Sequence, residues 1–371
     1  MPIAEERGAA MLKAREAVRN LPAYDPPLVG REGLRLDLNE NTAGCSPRVL
    51  VRLRGLTANE IGYYLEREPM EAAVAEHLGI KADEVLLTNG VDEAIHLLCE
   101  TFLEPGDEVL LVVPTFVMYE ITAAATGARI VKVPAGENFR FPFSQLLAQI
   151  NPRTRLIAIA NPNNPTGIAA DAEQLIEIAR RAPGAAVLID EAYFEFYGET
   201  LMGAWQREPR LANLFVARTF SKAYGMAGLR LGVLAGDAEY IALARRVASP
   251  FNVNAAALAC LPVALKDADY VRDYVSQVRR GREELQRELG RRNVPSWASH
   301  GNFVLARVGP QHAAFVSAME ARGILVRDRS RDHGCEGCVR ISIGTTEHTA
   351  QLIEALRATL AEMGVKEVAA K

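Results

Sequence analysis

Thirteen residues carry the densest concentration of reactive groups in the chain: Arg218-Thr219-Phe220-Ser221-Lys222-Ala223-Tyr224-Gly225-Met226-Ala227-Gly228-Leu229-Arg230. An apolar run, Leu211 to Ala217, precedes them and reads as a buried strand. Thr219 and Ser221 bracket a phenylalanine, Lys222 follows, and small residues separate it from Arg230. A lysine at a strand end among small neighbours is shielded from water, and a desolvated ammonium gives up its proton more easily. The neutral amine forms a Schiff base with a carbonyl. Two hydroxyls and a guanidinium beside it form a cup for one phosphate. Lys222 therefore reads either as the anchor of pyridoxal phosphate or as a structural lysine at a strand–loop junction. This stretch alone leaves both open.

Pyridoxal phosphate asks four further things of a protein, and each has a candidate. Asp190, closing an apolar run, can pair with the pyridine nitrogen. Tyr193 and Asn164 can donate to the ring oxygen, and Phe116 can cover the ring face. Gly90-Val91-Asp92, followed by a helical pattern, can complete the phosphate cup, because a helix start offers unpaired backbone N–H groups and a positive dipole end. Each has a plainer reading. Asp190 to Tyr193 can be a helix cap with a core tyrosine, Asn161 to Gly167 a tight turn, and Phe116 a core ring. Their order along the chain, each at a strand end, argues for the shared role.

The elements that must hold these groups alternate. Val85–Thr88, Val109–Val113, Arg129–Val133, Leu156–Ala160 and Ala186–Ile189 read as strands, and helical patterns at Ala94–Phe102, Tyr119–Thr126 and Ala172–Ala182 lie between them. Ser46-Pro47 reads as a cap and first helical position, and Met70–Leu78 as a helix stopped by Gly79. The fold class is α/β, a doubly wound and mostly parallel sheet whose ligands sit beyond the carboxyl ends of its strands. After Gly236 the pattern changes. Ala238–Val247, Ala255–Lys266 and the long charged Asp267–Leu289 read as helices, and strands at Asn302–Arg307, Ile324–Arg327 and Cys338–Ile343 alternate with helices at Ala313–Arg322 and about His348–Met363. The expected division is an N-terminal arm over 1–30, a small α+β domain from 31–45 and 267–371, and a large cofactor-binding domain over 46–266.

The whole-chain properties remove several function classes. With 371 residues, 24% charged and a net charge of −4, nothing offers a polyanion a footprint, so no nucleic acid is expected. No apolar run reaches the ~18–20 residues of a membrane span, and Met1 to Arg19 has no secretory apolar core. The five cysteines are scattered and odd in number, which suits a reducing cytoplasm. Cys335-Glu336-Gly337-Cys338 lacks a second ligand pair, so no metal is expected and the pair reads as loop cysteines.

Asn-Pro-Thr-Gly at 164–167, Asp-Glu-Ala-Tyr at 190–193 and Ser-Lys at 221–222 with Arg230 resemble the fold-type-I (class I/II) aminotransferases of pyridoxal phosphate. The finer resemblance, through Asn39-Glu40-Asn41, Gly90 to Ile95, Pro250 to Asn254 and Asn302-Phe303, is to histidinol-phosphate aminotransferases. It implies an aspartate-aminotransferase-like fold and a homodimer with active sites at the interface. It implies Lys222, Asp190 and Tyr193 as catalytic residues. Gly90, Val91, Asp92, Phe116, Asn164, Thr219, Ser221, Arg230 and Tyr64 would hold the cofactor, with Tyr64 reaching the neighbouring subunit's phosphate. Tyr24, Asn39, Arg327 and Arg340 would hold the substrate. The implied reaction moves the amino group of L-histidinol phosphate to 2-oxoglutarate, by a ping-pong route through pyridoxamine phosphate. Three features depart from that family's pattern: Leu65 where proline is usual, Phe116 where tyrosine is usual, and Thr42 where proline is common. The alternatives are an aromatic or broad-range aminotransferase and a phosphothreonine-type decarboxylase using the same cofactor.

Overall fold

The computed structural model describes residues 12–23, 31–365 and 367; Tyr24, an expected substrate contact, lies outside the described residues. Seven strands form the central sheet: β2 (Val85–Thr88), β3 (Glu108–Val113), β4 (Arg129–Pro134), β5 (Thr154–Ala160), β6 (Ala186–Asp190), β7 (Leu214–Thr219) and β8 (Gly232–Ala235). They follow a short β1 (Leu34–Arg35), and their spatial order is β2-β8-β7-β6-β5-β3-β4. Neighbours are parallel except around β8, which runs antiparallel to both β2 and β7.

The strands inside the edge strand β4 form because their apolar runs are buried on both faces by helices, as parallel sheets require; β4 itself is only partly buried. β6 is buried at every position. One face packs Leu87, Ile157, Val187 and Val216 against the helices Ala172–Arg181 and Ala255–Lys266; the other packs Leu86, Leu188 and Phe215 against Gly90–Phe102. Each such leucine, fully buried, contributes about 2–5 kcal/mol against its truncation to alanine.

The remaining strands are β9 (Phe303–Arg307), β10 (Ile324–Leu325), β11 (Arg327–Asp328) and β12 (Cys338–Ser342). β11, β12 and β9 make an antiparallel sheet, and β10 pairs in parallel with β1. Helices Ala268–Gly290 and Thr346–Glu362 pack on this unit around Phe303, Phe315 and Leu356.

Several expected elements shift. The helix expected from Ala94 begins at Gly90, so Gly90, Val91 and Asp92 form its first turn rather than a loop before it. The strand expected from Leu211 begins at Leu214, because Pro209 opens a tight helical turn and the Asn213 side chain ties the chain to three carbonyls. The strand expected at Ile324–Arg327 is two: β10 pairs with β1, and β11 pairs with β12 after the chain changes sheets at Val326. β8 and the helix Phe143–Gln149 are additional. Cys335 lies in the loop expected and Cys338 opens β12, and both are fully buried against Phe139 and Leu305. Among the described residues no helix is long and apolar enough to cross a membrane.

Candidate active site

β5, β6 and β7 deliver their last residues to one place, where a cavity of about 280 Å3 opens beyond the strand ends. That volume sits near the lower end for small-molecule sites. Asp190 is the last residue of β6, and Thr219 the last of β7. Lys222 follows three residues later, in a loop that crosses the segment Asn39–Cys45. The crossing is close. Asn41 Nδ2 donates to the Ala223 carbonyl at 2.9 Å, and a Cβ on Gly225 (φ +68°) would stand 1.8 Å from the Gly44 carbonyl oxygen. Glycine at 225 is what lets the two backbones touch.

Lys222 is buried, and its Nζ donates to the Leu38 carbonyl at 3.1 Å. Burial, with the nearby Arg340 charge adding to it, pushes its ammonium pKa down to about 8. Asp190 is 5% exposed, and burial pushes its pKa up to about 6 against two opposing hydrogen bonds. Those come from the Tyr119 hydroxyl at 2.5 Å and from the Ala192 backbone N–H at 2.9 Å. Asp190 has no cationic partner among the described residues, which is costly for a buried carboxylate. A protonated ring nitrogen supplies that partner, so the donor set fits pyridoxal phosphate here.

The phosphate cup also fits. Arg230, in a left-handed conformation (φ +53°), pairs with Asp92 at 3.0 Å. A Cβ on Gly90 would lie 2.7 Å from the Arg230 guanidinium, so glycine keeps the space in which Arg230 lies across the helix start. The Thr219 hydroxyl accepts from the Ser221 backbone N–H at 3.0 Å, fixing the turn that presents both hydroxyls.

Tyr193 is buried, and burial raises its hydroxyl pKa, so it keeps its proton. Its oxygen accepts from Asn39 Nδ2 at 2.9 Å, which leaves the proton to be donated into the cavity. Asn39 is itself fixed by Ser342, which receives and returns hydrogen bonds at 3.0 and 2.8 Å. Arg340 donates to Asn164 Oδ1 and to the Asp37 carbonyl. In register it faces Arg327 across the β11–β12 pair.

Val91, Asp92, Phe116, Asn164, Asp190 and Tyr193 all line this cavity, as do Asn39, Thr219, Ser221, Lys222, Arg230, Arg327 and Arg340. Gly90 lies directly beneath Arg230. Tyr64 is not brought here. It is 77% exposed, stacked on Phe251 at 3.9 Å, in a separate groove. Sequence reasoning missed two residues. Tyr119 lies in the first turn of the helix Met118–Ala125, three residues after Phe116, and the two rings meet edge to face at 5.7 Å. Arg329 stands two residues after Arg327 and so shares its strand face. Among the described residues no group of three or more metal-ligating side chains occurs.

This fold and this cavity define a class. The family model described as aminotransferase class I and II matches residues 31–356, and the chain belongs to that family. Among its relatives is the histidinol-phosphate aminotransferase of Moorella thermoacetica, 34% identical over 96% of this chain and 95% of its own length. The histidinol-phosphate aminotransferase of Symbiobacterium thermophilum is 36% identical over 95% of this chain and all of its own. In three dimensions the fold matches the histidinol-phosphate aminotransferase of Sinorhizobium meliloti, solved in complex with pyridoxal-5'-phosphate. Its TM-score is 0.85 at 24% identity, over 96% of this chain and 99% of that one.

Proposed function

We propose that this chain is a pyridoxal-phosphate-dependent aminotransferase that moves the amino group of L-histidinol phosphate to 2-oxoglutarate, giving imidazole-acetol phosphate and glutamate in histidine biosynthesis. The observation that carries the reading is one cavity holding a buried Asp190 with no cationic partner among the described residues, a Lys222 poised near neutrality and the arginine pair Arg327 and Arg340. The near full-length likeness to histidinol-phosphate aminotransferases supports the choice of donor.

Bound pyridoxal phosphate supplies an aldehyde that condenses with amines and a pyridine ring that takes up the electron pair of the substrate α-carbon. The protein's own groups do the rest. Lys222 would hold the cofactor through its amine and, when free, would take up and return the proton of the substrate α-carbon; an amine pKa near neutrality suits both directions of that transfer. Asp190, held by Tyr119, keeps the pyridine nitrogen protonated. Tyr193 and Asn164 hydrogen-bond the ring oxygen, and Phe116 covers one face. Thr219, Ser221, Arg230 and the helix start at Gly90–Asp92 hold the cofactor phosphate. Arg340, with Arg327, grips the anionic group of either substrate, since a guanidinium fork serves a carboxylate and a phosphate alike. Asn39 positions Tyr193. Tyr24 is assigned as a helper at the substrate anion.

The working unit in this proposal is a homodimer. Val51, Ile61, Tyr63, Tyr64 and Phe251 are all more than half exposed and lie close in sequence or in space, an apolar surface that a second copy covers. Tyr64, remote from its own Lys222, then serves the partner's cofactor phosphate. The large cofactor-binding domain runs over 46–266, with a small domain from 31–45 and 267–371. Location in the cytoplasm accompanies this reading.

The test is product analysis of the cofactor-loaded protein. Histidinol phosphate and 2-oxoglutarate should yield glutamate one for one with imidazole-acetol phosphate and no carbon dioxide. Carbon dioxide release from a phosphorylated amino acid instead would overturn the reading in favour of a decarboxylase.

A further inference from the structure

The anion-binding wall of the cavity holds one more cation than the proposed grip uses. Arg327 and Arg329 are two residues apart in an extended segment, so their side chains leave the same face. Arg340 stands opposite Arg327 in register. The Arg329 backbone N–H donates to the Cys338 carbonyl at 2.9 Å, so the ribbon continues through Arg329 and three guanidiniums share one face. Arg329 is largely buried, with 16% of its side chain exposed. One arm, Nη2, pairs with Asp332 Oδ2 at 2.5 Å. Its Nε is buried with no hydrogen-bond partner among the described residues. The same side chain also walls a neighbouring cavity lined by Arg31 and Asp37.

Three cations on one face repel, and the single Asp332 carboxylate that all three act on offsets one charge of the set, which leaves room for an anion. A carboxylate carries one charge on two coplanar oxygens, which the Arg340 fork with Arg327 beside it already matches. A phosphate monoester carries up to two charges and three terminal oxygens, and its ester oxygen and methylene extend it farther from the reacting carbon. Arg230 pairs with Asp92 beside the cofactor's phosphate, whereas Arg329, paired with Asp332 through one arm, keeps a buried Nε without a hydrogen-bond partner among the described residues, so the spare donor lies on the substrate side.

We propose that Arg329 is a specificity-determining residue, tethered by Asp332, that contacts the phosphate of the donor and makes the site prefer a phosphate monoester to a carboxylate. The proposal rests on the reading of the site as a histidinol-phosphate aminotransferase. Arg329 donates to a phosphate oxygen that a carboxylate in the Arg340 fork does not supply.

The experiment uses the cofactor-loaded protein and its R329Q and R329K variants, with the cofactor absorbance as the check that each site is assembled. KM and kcat are measured for histidinol phosphate and for L-glutamate, and inorganic phosphate is titrated as a competitor of glutamate. In R329Q the KM for histidinol phosphate should rise roughly tenfold or more beyond any rise in the KM for glutamate, the worth of one charge-assisted hydrogen bond. The effect should fall on KM rather than kcat, R329K should recover part of it, and inhibition by phosphate should weaken in parallel. Equal rises for both substrates, or no rise for either, overturn the proposal. Should the unmodified protein not turn over histidinol phosphate, the donor reading fails by itself, and the phosphate inhibition constants alone decide for or against Arg329.

Discussion

Lys222 and Asp190 owe their opposite pKa shifts to the same cause, removal from water, and each shift suits its task. Lys222 sits near 8, so the ligand-free protein should capture pyridoxal phosphate faster as pH rises through about 8, then level off. A rate independent of pH between 6.5 and 9 would contradict this. Asp190, raised from 3.8 to about 6, binds a proton more tightly folded than unfolded. Its contribution to the stability of the ligand-free protein is therefore present below 3.8 and lost as pH rises through about 6. Cofactor binding restores a partner, so the gain in thermal midpoint on loading should be larger at pH 7 than at pH 5. Tyr119→Phe removes a hydrogen bond to a buried carboxylate. It should lower kcat roughly ten- to a hundredfold with little change in fold, read by steady-state kinetics and circular dichroism. Asp190→Ala should cost more, about 10²–10³-fold, because it removes the charged partner itself.

At the scale of elements, the site depends on a loop crossing that tolerates no side chain. Gly225→Ala places a Cβ 1.8 Å from the Gly44 carbonyl oxygen at a left-handed φ. It should destabilise the protein by about 3–5 kcal/mol, measured by denaturant unfolding, and move Lys222 with it. A variant as stable as the parent would show that the crossing is looser than described. This scale also shows what the sequence made legible. β3, β5 and β6 are continuous apolar runs, and such runs betray doubly buried strands, so the parallel sheet and the polar residues at its ends could be read in advance. β8 has four residues in a glycine-rich stretch and becomes a strand through pairing with β2 and β7, neighbours remote in sequence or reached by a turn. β10 and β11 look like one strand because a change of partner at Val326 leaves no local mark. Tyr119 was hidden for a similar reason: its bond to Asp190 spans 71 residues and is made by the fold.

At the scale of the molecule, the residues lining the cavity come from both sheets. Asp190 and Thr219 close strands of the large sheet, while Arg327 and Arg340 belong to the small one. In the proposed dimer Tyr64 would extend the dependence to a second copy. The proposed dimer predicts complementation. Lys222→Ala and Tyr64→Ala, each weak or inactive alone, should recover roughly a quarter of the parent activity when unfolded together and refolded as mixed dimers, because one site in each mixed dimer is then intact. No recovery, with mixed dimers shown to form, would place Tyr64 outside the site.

The central claim is that the amino group of histidinol phosphate passes to the cofactor, with Lys222 moving the proton. A single-turnover spectrum tests it most directly. Cofactor-loaded protein is mixed with L-histidinol phosphate in one cuvette and L-phenylalanine in another, without 2-oxoglutarate. The absorbance near ~420 nm should give way to a band near ~330 nm, the signature of the aminated cofactor, quickly with histidinol phosphate and slowly with phenylalanine. The reverse ranking, or a ~420 nm band that neither amine converts, would contradict it.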